Sequence, residues 1–271
     1  MLWLELTSER MADAIKRSGG LCLLPVGCIE RHGRHLPLGT DQIAADEICR
    51  RAAEQEPAVV FPSYYFGQIA EARHYPGAVS LEHGLLLKLL RATLDEIGRN
   101  GFTKILVCNG HGGNSGLIGY MIASLLQEAH PYVVYGTFAG AMTPEDLQRW
   151  NEMKDTDRGG HAGESETSVI LHLRPELVHM EDVGDPAEGS PRQWQRALGG
   201  VQNPMGWYAN YPTHLSGNPR PASPQKGEFL INAGVRRLVE VMRAVKADDV
   251  TPRLQREFHD RAGRAGLPEE T

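Results

Sequence analysis

The sequence predicts an α/β fold in which a mainly parallel sheet is covered by helices on both faces. Short apolar runs alternate with longer stretches of helical period through the first half of the chain, the pattern such sheets require. Glycine-rich segments carrying acids and histidines follow directly on two of the apolar runs, and open α/β sheets collect their ligands at those strand ends. With 271 residues, 41% of them hydrophobic and 23% charged, the chain can bury a sizeable core. The expected organisation is a single domain over residues 1–250 with a C-terminal tail over 251–271.

Leu21 to Val26 is an unbroken apolar run and reads as the first strand. Asp41 to Gln55 follows as an amphipathic helix, with Ile43, Ala44 and Ile48 at helical spacing. Ala58 to Pro62, Lys104 to Cys108 and Tyr132 to Tyr135 read as further strands. Between them, His83 to Arg99 carries Leu86, Leu89, Leu90 and Leu94 on one face, and Asn114 to Ala129 has the same period. Thr143 to Trp150 opens with Thr-Pro and then Glu-Asp, a helix start signal, and Glu166 to Leu173 reads as a short helix. Asp182 to Gln225 is rich in Pro, Gly and Asn without a sustained period, so it is expected to be a long ordered loop, a kind of segment that is often functional. Gly227 to Lys246 aligns Leu230, Gly234, Val235, Leu238 and Val241 as a final helix, and the polar tail beyond it is expected to be loose.

A net charge of -6 is modest for this length and argues against nucleic acid as a partner. No apolar run approaches the roughly 20 residues needed to cross a bilayer, so no membrane partner is expected. The opening MLWLELTSERMADAIK mixes acids into what would be the apolar stretch of a signal peptide, and a cytoplasmic protein is expected. The cysteines, Cys22, Cys28, Cys49 and Cys108, lack CxxC spacing and read as small buried hydrophobes.

The chemistry is concentrated in three clusters. After the first strand, PVGCIERHGRHLPLGTD places Glu30, His32, His35 and Asp41 in a Gly/Pro-rich loop. If the chain stays extended there, Glu30 and His32 project to one side and Arg31 to the other, so a carboxylate and an imidazole face one point, as a divalent metal requires. A helix N-cap would account for Asp41 alone, and a surface loop would account for either histidine singly. At the end of another strand, NGHGGN sets His111 among glycines that allow close backbone approach, just before a helix N-terminus. It lacks both the Lys-Ser/Thr ending and the GxGxxG order of phosphate loops. In the third cluster, HAGESETS, Glu164 and Glu166 could serve only the helix dipole, whereas His161 beside two carboxylates reads as a general acid or base.

These three segments, in this order and with these separations, resemble the signature segments of the creatininase family. Weaker echoes are His74 to Leu81 and Lys226-Gly227, so the resemblance spans about Leu21 to Gly227. It implies a three-layer αβα sandwich with a mainly parallel central sheet, and a pair of divalent metals that hydrolyse C–N bonds. By position it implies Glu30 and His111 as ligands of one metal, His32 of the other, and Asp41 bridging both. A homo-oligomer, hexameric in form, is implied as well. Creatininases proper carry a metal-ligating glutamate two residues after the histidine of the second motif, where this chain has Gly113. Glu164 is the first candidate to replace it and Glu166 the second, with His161 and Glu166 as the catalytic pair. Creatininases proper also carry a substrate-clamping tryptophan just upstream of the third motif, where this chain reads Asp155 to Arg158, which speaks against creatinine itself.

The expected activity is that of a binuclear metal-dependent amidohydrolase acting on a small amide, with two Zn, Mn or Fe ions acidifying a shared water to hydroxide. His161 would give a proton to the departing nitrogen. The alternatives are hydrolysis of another bond such as a phosphoester, for which Arg31, Arg34 and Arg158 are the nearest cations, and a catalytically silent metal-binding scaffold.

Overall fold

Every residue of β1 (Leu21–Val26) is buried, as the central strand of a parallel sheet covered on both faces must be. The computed structural model describes residues 1–157, 160–193, 196–198 and 200–263. In it β2 (Val59–Val60), β1, β3 (Lys104–Asn109) and β4 (Val133–Phe138) lie in that order as a four-stranded, wholly parallel sheet.

Side chains alternate across each strand, so the sheet feeds two cores. Leu21, Leu23, Leu106 and Cys108 pack against α2 (Thr40–Gln55) and α8 (Pro224–Ala247) through Ile48, Ile231 and Leu238. Cys22, Leu24, Ile105 and Val107 face the other way, onto α1 (Ser8–Arg17), α3 (His83–Arg99) and α4 (Asn114–Ser124) through Ala14, Leu90 and Ile118. The result is the αβα layering that the apolar alternation implied.

Several boundaries differ from the sequence expectation. α1 is an additional helix. β2 is reduced to two residues: Phe61 still donates to the Leu23 carbonyl at 2.8 Å, but Pro25 of β1 has no N–H to carry the ladder further, whereas β4 continues to Phe138. α5 (Pro144–Met153) starts at the expected Thr143 cap, whose hydroxyl accepts from the Asp146 N–H. α6 (Glu164–Leu173) begins two residues earlier than expected, and the long loop after it contains the short α7 (Gly206–Asn210). The tail expected to be loose instead forms α9 (Val250–Ala262). Its Gln255 amide donates to the His130 and Tyr132 carbonyls at 3.0 Å, which ties it to the loop before β4. The remaining tail, 264–271, lies outside the described residues, as does Arg158. Among the described residues no helix is long and apolar enough to cross a membrane.

The sheet register places the site. Val26 pairs with Asn109, so the loops after β1 and β3 leave the sheet side by side. Gly110 then passes against the first turn of α2, where an added Cβ would stand 2.7 Å from the Asp41 carbonyl. Only glycine permits that approach.

Candidate metal centre

The loop after β1 buries Cys28, Glu30 and His32. Gly33 turns it at φ 59°, and the Gly33 N–H donates to the His214 carbonyl at 2.8 Å. The three side chains converge. Cys28 Sγ and His32 Nε2 stand 3.4 and 4.0 Å from Glu30 Oε1. Arg31, between them, points away, its guanidinium 4.1 Å over the Tyr75 ring.

Asp41 lies in the first turn of α2, but Gly39 is the N-cap, so the carboxylate is free for another task. Its Oδ1 is 3.2 Å from His32 Nε2, and its Oδ2 is 2.8 Å from His111 Nδ1. His111 Nδ1 is also 2.9 Å from Glu30 Oε1, while its Nε2–H donates to the Gln68 carbonyl at 3.0 Å. That outer hydrogen bond fixes the ring with Nδ1 aimed at the acids.

Two sets of candidate ligand atoms result, each within 4.8 Å of one another: Cys28, Glu30, Asp41 and His111, and then His32, Asp41 and Glu166. Asp41 belongs to both. Glu30, His32 and His161 form a third, overlapping set. Glu166 Oε2 lies 3.6 Å from His32 Nε2 and accepts the Ala162 N–H at 2.6 Å. Ala162 adopts φ 55°, a left-handed turn that an alanine takes only under constraint.

Glu164 is not part of this centre, contrary to the sequence expectation that it completes the metal set. Its fully buried carboxylate pairs with the Lys226 ammonium and accepts from the Asp155 N–H at 3.0 Å and the Thr156 hydroxyl at 2.6 Å. The cause is helical geometry. α6 starts at Glu164, and residues two positions apart in a helix stand about 200° apart around the axis, so Glu164 faces α8 when Glu166 faces His32. At Gly113, an added Cβ would collide with the His111 ring, so this arrangement of the second motif has no room for a glutamate.

His161 stacks on His32 with ring centroids 4.1 Å apart. Its Nε2–H donates to the Arg31 carbonyl at 2.8 Å, which leaves Nδ1 as the basic nitrogen. His35 is buried rather than on the surface, and its Nε2 bonds the Thr167 hydroxyl at 2.9 Å, a structural role.

Burial opposes ionisation of Glu30 and Asp41, but the facing histidines outweigh it and hold both carboxyls well below their usual range. Burial likewise opposes protonation of His32 and His111; Asp41 and Glu30 reverse this, pushing His32 up to about 9 and His111 well above its ordinary value. Burial raises Glu166 to about 7, whereas burial and the His32 charge lower His161 to about 4. The buried acids thus demand positive charge, and imidazolium protons supply it. Divalent cations bring the same charge to the same atoms, so the donor set fits divalent metal.

Three residues near the centre escaped the sequence reading. Cys28 passed for a small hydrophobe, although the period-two argument applied to Glu30 and His32 includes it. His214 is buried at φ 54°, with Nε2 3.4 Å from Glu30 Oε2 and neither ring nitrogen hydrogen-bonded among the described residues. Trp207 stands edge-on to His161 at 5.7 Å. The last two lie in the long irregular segment, whose lack of period hides which residues turn inward.

A family model described as creatinine amidohydrolase matches residues 4–242. The creatinine amidohydrolase of Pseudomonas putida is 27% identical over 267 residues, covering 88% of this chain and 95% of that protein. A mycofactocin precursor peptide peptidase of Mycolicibacterium smegmatis is 34% identical over 172 residues, covering 60% of this chain and 62% of that protein. Among solved structures, a mutant creatininase in a Zn-Zn form shares the fold, with a TM-score of 0.77 and 24% identity over 91% of this chain and 98% of that one. With the family model matched across nearly its whole length and the fold shared, this chain belongs to the creatininase family of hydrolases.

Proposed function

We propose that this chain is a binuclear metal-dependent amidohydrolase that cleaves a C–N bond of a cyclic amide, formamide or peptide-like small molecule. The observation that carries this reading is the division of Asp41, whose two oxygens face two different ligand sets. Glu30 and His111 would hold one divalent ion, His32 and Glu166 the other, and Asp41 both. Glu166 thereby takes the closing position that Gly113 leaves vacant. Bound there, a pair of Zn, Mn or Fe ions supplies a nucleophile from water near neutral pH and polarises the amide carbonyl.

The chain's own residues do the rest. His161, neutral and with Nε2–H held by the Arg31 carbonyl, accepts a proton at Nδ1 and returns it to the departing nitrogen. Its stacking on His32 and its bond to the Arg31 carbonyl keep the ring in place. The substrate is proposed to be peptide-like rather than creatinine, since the tryptophan beside His161 comes from α7 and not from the segment upstream of the third motif. A homo-oligomer, hexameric on the family resemblance, is proposed for the assembly; light scattering that returned a monomer mass would refute it.

Elemental analysis of protein purified without chelator, joined to an activity screen against creatinine, formamides, lactams and short peptides, tests the reading. Two metals per chain with amide turnover are expected. Two metals without turnover on any amide would favour the silent scaffold.

A further inference from the structure

The acids of the centre open on one side into a cavity of about 310 Å³. Thr40, Asp41, Ser165 and Glu166 form its polar wall, while Ala44, Phe138, Met142, Trp150, Val169 and Leu230 supply a larger apolar lining from α2, β4 and the turn after it, α5, α6 and α8. No Lys, Arg or His is among the described residues that line it.

This composition selects its occupant. An anionic group would meet two acidic residues and no cation, and a strongly polar group would give up water for little more than the Ser165 hydroxyl, since the Thr40 hydroxyl already donates to the Pro37 carbonyl. An aliphatic or aromatic group loses nothing of that kind and gains by leaving water. The volume equals roughly ten waters, at the small end of ligand pockets, and suits one side chain rather than a length of peptide. Its wall includes the acid common to both ligand sets, so a group seated there adjoins whatever atoms are held between those sets.

We propose that this chamber is a specificity pocket that receives one apolar side chain or acyl group of the substrate beside the C–N bond that is cut, an inference that rests on the two-metal reading above. The preferred substrate is then an N-acyl compound or short peptide with an apolar group next to the scissile amide. A compact polar ring would leave the chamber unfilled, and a phosphoester would bring negative charge against Asp41 and Glu166.

Alkyl hydroxamates anchor on zinc whatever their tail, so they probe the chamber without a known substrate. The zinc-loaded full chain is titrated calorimetrically with acetohydroxamate, hexanohydroxamate and a hydroxamate of the latter's length ending in a carboxylate. Affinity should rise about fourfold per methylene until the chamber is full, and the terminal carboxylate should cancel the gain. Ala44→Leu and Val169→Phe, which narrow the chamber from different helices, should retain zinc and acetohydroxamate binding but lose the tail gain. Affinity independent of tail length in the wild type would overturn the proposal, as would an undiminished gain in both folded variants; the wild-type series decides even if a variant misfolds. A chain that retains no zinc and binds no hydroxamate would instead overturn the metal-centre reading itself.

Discussion

The loop after β1 and the turn into α6 both carry candidate ligands two residues apart, with opposite results. In the loop, Cys28, Glu30 and His32 occupy alternate positions outside any helix, and all three side chains meet. At the start of α6 the same spacing separates Glu164 from Glu166, and the two diverge to different partners, Lys226 and His32. Spacing in sequence therefore has no fixed meaning for a site. A period of two gathers residues in an extended segment and divides them in a helix.

The largest expected effect tests the point where the two regions join. Asp41→Ala should abolish binding of both metals, whereas His32→Ala should weaken chiefly one. Loss of a ligand should exceed the 10 to about 100-fold typical of changes around a metal site. Retention of two metals by Asp41→Ala in elemental analysis would end the shared-acid account.

Next in size is His161→Asn, expected to keep both metals and lower kcat by about 10² to 10⁴-fold, the usual contribution of a positioned proton carrier. Loss of metal instead would move His161 into the ligand set with Glu30 and His32.

The two glutamates of α6 allow a direct test of divergence. Glu166→Gln should lose about one metal with little change in Tm. Glu164→Gln should keep both metals and lose stability, because the half-buried Lys226 loses one of its two acidic partners and keeps only Asp155 and the Pro221 carbonyl. Breaking a fully buried pair typically costs about 3–5 kcal/mol; with Asp155 still on Lys226 the cost should fall below that range, read as a fall in Tm. If the outcomes were exchanged, the helical explanation would fail.

The smallest effect is the acid dependence of that pair. Burial alone would raise the Glu164 pKa, but Lys226 and Thr156 outweigh it, so the folded value lies below the ordinary 4.5. A carboxyl depressed in the folded state contributes stability that is fully present above its unfolded value and is lost as pH falls through the folded one. In metal-free protein, the Tm advantage of wild type over Glu164→Gln should be constant near neutrality and shrink below pH 4.5. An advantage that persisted unchanged in acid would show that packing, not charge, holds Glu164.

Much of this protein was legible in its sequence. Apolar runs such as Leu21 to Val26 announced strands covered on both faces, because a residue buried from either side must be apolar at every position. Glu30, His32, Asp41 and His111 stood out because acids and histidines in glycine-rich strand ends have little structural use there. Local chain geometry then sufficed to bring Glu30 toward His32.

Contacts between distant segments decided the remainder. Lys226, 62 residues further along the chain, claims Glu164, and no rule of spacing identifies a partner so remote. His214 and Trp207 reach the centre from an aperiodic segment held by single contacts, such as the Tyr75 hydroxyl on the Pro212 carbonyl at 2.6 Å. The helix Val250–Ala262 owes its place to carbonyls before β4 that need a donor. Periodic patterns report burial along one element, whereas the choice among acids, the walls of the apolar chamber and the seating of the C-terminal helix depend on which elements meet. That information is carried by the packed chain and not by any window of its sequence.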